Sequence, residues 1–557
     1  MNCAQVLIEG MKAMGAKRIY GVIGTSNISF IDALYDYQED IRYISCRHEQ
    51  VAASMADAEG RLTGVPGVAL THSGPGTLNS LISVGNAYKD CSPMIVLSGA
   101  VKRKLKGGGG MLEADHRNIF APLCKGVFRV EDAARAAAVF SKAYTLAVSG
   151  ARGPVLIEVP EDVWGEEAEG EPPVFRLSAE YRPPLHVEDV WKSLGMVKEA
   201  GRPLLLSGGG VAYAGCSELL MRFAEALQAP VITTGNGRGT IPEGHPLCLG
   251  RVGFGGGSTV ADKALGEADV ILGLGCTISD MTTYEYTLPV NGEVILVNID
   301  LEAMVTSRFR AQYMVEADVK DFLVEALGAV KDYQPPPRDE WWELLEPVRQ
   351  EWASQVGAAI VSDKVPLSPG RVVHELSQLL PEGHIVTVGA GTHLLYPMAF
   401  LPCREPLTFL SAVNFGAMGF GFPAALAAKL VHPEAEVVAI LGDGDFMMTL
   451  QDLETACREG IKIRVLVIND NMYRVLNLRQ RVQCGGRVLG TCHGNPDFAA
   501  LARSFGATGL RLERVEDIVG ALQEALAAPG PAVVDAIVDP DDLPPLNLEA
   551  TLRMGMG

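Results

Sequence analysis

The chain has 557 residues, enough for about three domains of ordinary size. A hydrophobic share of 48% with 20% charged residues marks a globular chain, and a net charge of −20 argues against nucleic acid and anionic membranes as partners. Eleven cysteines without paired spacing read as reduced thiols of a cytoplasmic protein, with Cys91, Cys276 and Cys457 expected in the core; no apolar run reaches the ~18 residues of a membrane span, and the first ten residues do not read as a signal peptide.

In chain order, Ala4 to Met14 has the spacing of an amphipathic helix. Strands are expected at Arg18 to Val22, Ile41 to Ser45, Gly67 to Thr71, Met94 to Ser98 and Val155 to Val159, with an Ala-rich helix over Gln50 to Thr63. Residues 1–165 thus read as a βα domain with a parallel sheet and right-handed crossovers. Its loops carry polar candidates. Thr25 and Ser26 follow the first strand, Glu49 the second, and His72 opens a loop of small residues ending Ser73-Gly74-Pro75-Gly76. A glutamate so placed is either a solvated carboxylate or an acid–base group. His72 is either satisfied by backbone or a proton relay. The run Gly107 to Gly110 suggests a mobile loop, and His116 beyond it fits the surface and an active site equally well.

Glu166 to Pro184, acidic and rich in Pro and Gly, reads as a linker. A second α/β domain follows over 185–330, with strands at Pro203 to Ser207, Pro230 to Thr234, Val270 to Leu274 and Val294 to Ile299. Gly208-Gly209-Gly210 closes the first of these and Asp300 the last. Pro335 to Pro366 is a further linker containing a charged helical stretch. The third domain, 365–545, opens with a helix over Arg371 to Leu380 and has strands at Ile385 to Val388, Val437 to Leu441, Ile461 to Ile468 and Val533 to Val538. A helix is expected over Thr449 to Gly460, and Asp539 to Gly557 is a tail.

The third domain carries the most specific pattern. Gly442-Asp443-Gly444-Asp445 stands where a buried strand turns into a helix, and Asn469-Asp470-Asn471 ends the next strand. Asp443 and Asp470 therefore share the carboxyl edge of a parallel sheet, where such sheets bind ligands. Two carboxylates there repel unless a hard cation lies between them, and Mg²⁺ with phosphate oxygens fits. Helix N-termini favour phosphate for a related electrostatic reason.

This arrangement resembles the cofactor motif of thiamine diphosphate enzymes. The resemblance implies that Asp443, Asp470 and the Met472 carbonyl hold Mg²⁺ against the diphosphate, with Gly442, Gly444, Asp445 and Tyr473 around them. Gly389-Ala390-Gly391-Thr392-His393 is similar to the family's diphosphate loop; Gly391 and His393 match it, whereas Thr392 and Leu394 replace glutamines. The Asn414 to Pro423 stretch matches closely, so Gly416 is assigned the carbonyl that accepts from the aminopyrimidine. Met418 is the apolar prop that bends the cofactor. Arg47-His48-Glu49-Gln50 with the Ser-Gly-Pro-Gly loop resembles the pyrimidine-binding domain of the acetolactate synthase group, which makes Glu49 the partner of a ring nitrogen.

The implied architecture is three α/β domains with doubly wound, mostly parallel sheets. The implied activity is decarboxylation or carboligation of a 2-keto acid. In the family Glu49 of one subunit would serve cofactor held by another, so a homodimer or homotetramer with interfacial active sites is expected. The acceptor-binding arginine of acetolactate synthases is Met281 here, and an arginine of the flavin region is Thr277, which disfavours FAD in the middle domain without removing it. His72 is shared with the benzoylformate decarboxylase pattern. Pro122-Leu123-Cys124-Lys125 is similar to oxalyl-CoA decarboxylases and 2-hydroxyacyl-CoA lyases. Arg479, where the group has a tryptophan, either meets a substrate anion or is solvated. A non-catalytic nucleotide-binding relative is a further alternative, which the presence of Glu49 and Asp443 disfavours.

Overall fold

The computed structural model describes residues 1–557 except 169–172, 176, 178–181, 256, 306–307, 548–549 and 551–557. Parts of the linker expected over Glu166 to Pro184 and the end of the C-terminal tail lie outside the described residues.

Three six-stranded sheets follow one another along the chain, and every ladder between their strands is parallel. The first contains β1 (Arg18–Gly21), β2 (Arg42–Ser45), β3 (Gly67–Thr71), β4 (Met94–Ala100), β5 (Gly126–Arg129) and β6 (Pro154–Pro160), in the order β2-β1-β3-β4-β6-β5. The second contains β7 (Pro203–Ser207), β8 (Val231–Thr233), β9 (Cys248–Arg251), β10 (Val270–Leu274), β11 (Glu293–Asn298) and β12 (Tyr313–Glu316), in the order β12-β11-β10-β7-β8-β9. The third contains β13 (Ile385–Val388), β14 (Phe409–Ser411), β15 (Val437–Gly442), β16 (Arg464–Asn469), β17 (Thr508–Leu512) and β18 (Ala532–Ile537), in the order β14-β13-β15-β16-β18-β17. The outer domains thus repeat one topology. The middle domain has the strand order of dinucleotide-binding folds.

Helices cover both faces of each sheet, which is why interior strands such as β4, β6, β10 and β16 are buried at every residue and carry apolar runs without alternation. The Ala-rich helix Glu49–Thr63 lies against the equally Ala-rich Gly421–Val431 of the third domain. Val51, Ala52, Met55, Ala424 and Ala428 belong to one core shared by the two domains. Small side chains let these two helices approach closely and exclude water along their length.

Several expectations change. The helix expected over Thr449 to Gly460 is broken into a 3₁₀ turn, Leu450–Asp452, and a helix, Leu453–Arg458. The strand expected from Ile461 begins at Arg464, because the Ile461 N–H closes the preceding turn onto Ala456. The stretch after Pro335 is more than a linker: the helix Asp339–Ala359 buries Trp341 and Leu345 in the middle-domain core. Cys276 is buried as expected, but Cys91 and Cys457 are only half-buried. Among the described residues no helix is long and apolar enough to cross a membrane.

Candidate active site

The outer domains each place chemistry at the carboxyl edge of the sheet, around the switch point where neighbouring strands lead off in opposite directions. In the third domain the loops after β13, β15 and β16 surround a cleft of about 80 Å³. Ala390, Gly391, Thr392 and His393 form one wall. Gly442, Asp443, Gly444 and Asp445 form the floor. Asp470, Met472 and Tyr473 close it, with Met418 at the rim. Two glycines are required by contact: a Cβ on Gly442 would lie 2.7 Å from His393 Nδ1, and one on Gly444 2.5 Å from the Tyr473 ring.

Asp443 is buried and accepts from the Gly444 N–H at 2.7 Å and from Asn495 Nδ2 at 2.6 Å. Burial raises its carboxyl above the ordinary range. Asp470 is pushed up to about 7, first by burial and then by the charge of Asp443. Such a pair is unfavourable by itself and favours a shared cation. Among the described residues no group of three or more His, Cys, Asp or Glu is placed to hold a metal. An ion here would therefore take two carboxylates and complete its shell with other oxygens. The Met472 carbonyl is available: in the short bridge to Cys492, Tyr473 N donates to Thr491 and His493 N to Asn471. All of these donors are hard oxygens, as Mg²⁺ requires.

The opposite wall fits an anion. Thr392 Oγ1 and His393 Nε2 are buried without a hydrogen-bond partner among the described residues. Burial pushes the His393 imidazole down to about 3, so the ring is neutral. Asp445 stands 3.7 Å away, is itself pushed up to about 7 by burial, and accepts the Gly419 N–H at 2.8 Å. Unsatisfied buried polar atoms of this kind mark a place where a polar ligand belongs.

In the first domain the loops after β1, β2 and β3 bring Glu49, Ser26 and His72 together. Glu49 is 7% exposed, starts the helix Glu49–Thr63, and accepts from Asn79 Nδ2 at 2.9 Å through Oε2. Gly76 leaves room for it, since a Cβ there would lie 2.7 Å from Glu49 Oε1 and 3.1 Å from the His72 Cβ. Ser26 Oγ lies 3.0 Å from His72 Nδ1 and accepts the Ser73 N–H at 2.8 Å. Thr25 is exposed beside them. His116 is not brought to this group. It is 1% exposed beneath the loop, with Nδ1 at 2.9 Å from Glu158 and Nε2 accepting the Gly74 N–H at 3.2 Å. Both ring nitrogens are occupied, so His116 braces the Gly74 turn.

No described first-domain residue lines the third-domain cleft, although Gln50, next to Glu49, donates to the Met418 carbonyl at its rim at 3.0 Å. Gly416, with a positive φ of 75°, is also outside the lining. Three residues of these sites escaped sequence reading: Asn79, which holds Glu49; Asn495, which joins Asp443 to Asn469; and His493, stacked on Tyr473 at 4.7 Å. Asn495 reads as part of a helix cap, but Asp497 makes that cap.

The middle domain has its own cavity, about 310 Å³, at the carboxyl ends of β7, β10 and β11. Gly209, Gly210, Thr277, Met281 and Asp300 line it, as does Arg152 of the first domain. Nearby Arg251 is 4% exposed, and its Nε and Nη1 have no acceptor among the described residues. Arg479, itself partly exposed, pairs with Glu285 of the middle domain at 3.3 Å.

Three family models match in succession: thiamine pyrophosphate enzyme, N-terminal TPP binding domain, over residues 1–119; the central domain over 190–326; and the C-terminal TPP binding domain over 389–536. The probable acetolactate synthase large subunit of Methanocaldococcus jannaschii is 33% identical over 98% of this chain and 93% of its own length. The acetolactate synthase large subunit of Haemophilus influenzae is 31% identical over 97% and 95%, and the acetolactate synthase of Mycobacterium leprae 32% over 97% and 87%. The chain belongs to the acetolactate synthase family of thiamine pyrophosphate enzymes. It is a thiamine diphosphate-dependent enzyme that makes or breaks carbon–carbon bonds. Within this family the third-domain cleft corresponds to the cofactor-binding domain, and the loops around Glu49 to the other TPP binding domain.

Proposed function

We propose that the chain is an acetolactate synthase-like carboligase that takes a 2-keto acid, requires Mg²⁺ with thiamine diphosphate, and works as a homodimer or larger assembly with its active sites between subunits. The observation that carries this reading is the third-domain cleft, where the buried Asp443 and the half-buried Asp470 face the unsatisfied polar atoms of Thr392 and His393. Asp443, Asp470 and the Met472 carbonyl would hold Mg²⁺. Thr392 and His393 would meet the diphosphate, the Gly416 carbonyl would accept from the aminopyrimidine, and Met418 would support the bend. Thiamine diphosphate supplies a carbon nucleophile and an electron sink when bound. Glu49 Oε1, the oxygen that Asn79 leaves open, would meet a ring nitrogen across the subunit boundary. That no described first-domain residue lines the cleft supports the interfacial arrangement.

His72 favours a second outcome, release of an aldehyde. With one lone pair taken by Ser73, the Ser26 hydroxyl is placed to donate to His72 Nδ1. When Ser26 donates to Nδ1, Nε2 is the ring nitrogen left for a substrate. The middle-domain cavity suits an adenine nucleotide or FAD. Gly209 and Gly210 permit close approach and Asp300 can take a ribose hydroxyl, whereas Thr277 and Met281 weigh against the flavin end.

The test is a product assay. Protein supplied with thiamine diphosphate, Mg²⁺ and pyruvate, with and without an aldehyde, is analysed for CO₂ and organic products by mass spectrometry. CO₂ with acetolactate or another hydroxyketone is the expected result. CO₂ with free aldehyde alone moves the assignment to a decarboxylase, and no turnover of any 2-keto acid overturns both.

A further inference from the structure

The three domains meet at one carboxylate that the cofactor cleft does not use. Asp90 follows the helix Leu81–Lys89 as its cap and is 2% exposed. Its Oδ2 is 2.8 Å from Arg61 Nη2, and Arg61 also pairs with Asp57 at 2.8 Å. Its Oδ1 accepts two amides: Asn414 Nδ2 from the third domain at 2.5 Å, and Asn236 Nδ2 from the middle domain at 2.8 Å. Tyr213 of the middle domain donates to the Asp90 carbonyl at 3.1 Å. Asp90, Tyr213, Asn236 and Asn414 all line the 310 Å³ cavity.

Asn414 begins the loop that runs through Gly416 and Met418 to Gly419. Two other first-domain contacts hold that loop. Gln50 Nε2 donates to the Met418 carbonyl at 3.0 Å. The Phe415 ring fills the space over Gly85, where a Cβ would lie 2.6 Å from it. Arg61 brackets the loop, donating to the Ser411 carbonyl at 2.9 Å and stacking 4.7 Å from the Phe420 ring centroid. The loop that carries Met418 into the cleft is therefore set from outside its own domain.

We propose that Asp90 is a positioning residue for the reaction: through Asn414 it sets the posture of the 414–419 loop, and through Asn236 it ties that posture to the wall of the middle-domain cavity. This rests on the reading of the cleft as the thiamine diphosphate site. Both amides share one oxygen of a carboxylate, so both bonds are charge-assisted and each shapes the other. Residues acting through one atom give coupled, not additive, effects.

Asp90→Asn would strip Arg61 of a counter-ion and risks misfolding, so the test uses the two amides, which leave the Asp57–Arg61–Asp90 ion pairs intact. Full-length apoprotein with saturating Mg²⁺ is titrated with thiamine diphosphate by calorimetry, for the wild type, Asn414→Ala, Asn236→Ala and the double variant. Thermal midpoints are recorded alongside. Asn414→Ala should weaken cofactor binding about tenfold, the loss of one charge-assisted bond. Asn236→Ala should weaken it several-fold, although Asn236 lines no part of the cleft. The double variant should match Asn414→Ala alone. Wild-type affinity in Asn236→Ala, or losses that simply multiply, overturns the proposal; a purely structural role would lower the midpoint and leave the affinity in place. Amide hydrogen exchange over 412–419 without cofactor is the second readout. Exchange should quicken in Asn236→Ala, and unchanged exchange overturns the coupling. A wild type that binds no thiamine diphosphate but shows this quickening would instead overturn the cofactor reading.

Discussion

The first and third domains have the same strand order and use the same edge of the sheet, yet their loops do opposite work. After β13, β15 and β16 the third domain offers buried carboxylates and unsatisfied donors, a place to hold a charged group. After β1, β2 and β3 the first domain offers a glutamate, a histidine and a serine, residue types suited to exchanging protons. One topology thus supplies two half-sites, and what differs is only the side chains on the strand-to-helix loops. This is the usual division in α/β sheets, where the scaffold fixes an edge and the loops decide the chemistry.

The sharpest way to break the comparison is to remove one group from each half. Asp443→Ala should abolish both cofactor binding and turnover, read by calorimetry and by CO₂ release. Glu49→Gln should keep thiamine diphosphate bound while turnover falls by roughly 10²–10⁴, the worth of a positioned acid–base group. Equal loss of binding in both variants would mean that the halves do not divide the work. A finer pair uses the glycines. Gly444→Ala drives a Cβ against Tyr473 and should raise the cofactor dissociation constant, whereas Gly76→Ala crowds Glu49 Oε1 and should lower kcat with binding preserved.

Smaller effects concern stability. Burial pushes Asp452, which accepts the Arg47 N–H at 2.8 Å across the boundary between these two domains, up to about 6. A carboxyl raised in the folded state holds its proton longer than in the unfolded chain. Its stabilising contribution is complete below about pH 4 and is lost as pH rises through about 6. Asp452→Asn should therefore flatten the fall in thermal midpoint across that window. The smallest expected change is at Arg251. Replacing this buried cation, which lacks acceptors for two of its nitrogens among the described residues, with methionine should raise the midpoint by about 2 °C; a lower midpoint would mean that the guanidinium is paired in solution.

Legibility followed burial. Every interior strand of the three sheets was visible as an apolar run, and β2 with them. The strands that escaped, β5, β9, β12, β14 and β17, all lie at sheet edges. An edge strand pairs on one side and is covered less, so its sequence carries residues such as Arg129, Arg251 and Glu316 that hide the period. The cofactor loops were legible because glycine and aspartate at a strand end obey local rules of backbone freedom and charge. His116 was not, because whether a histidine faces a cleft or lies under a turn depends on Glu158 and Gly74, each distant in sequence.

Local pattern therefore determined the three α/β domains, the interior strands and the Asp443–Asp470 pair. The folded chain alone decided that Asn495 holds Asp443, that Asn79 holds Glu49, and that Asp90 joins all three domains. Those facts rest on contacts between residues 30 to 324 positions apart, and a hydrogen bond of that kind leaves no periodicity in the sequence for a local reading to find.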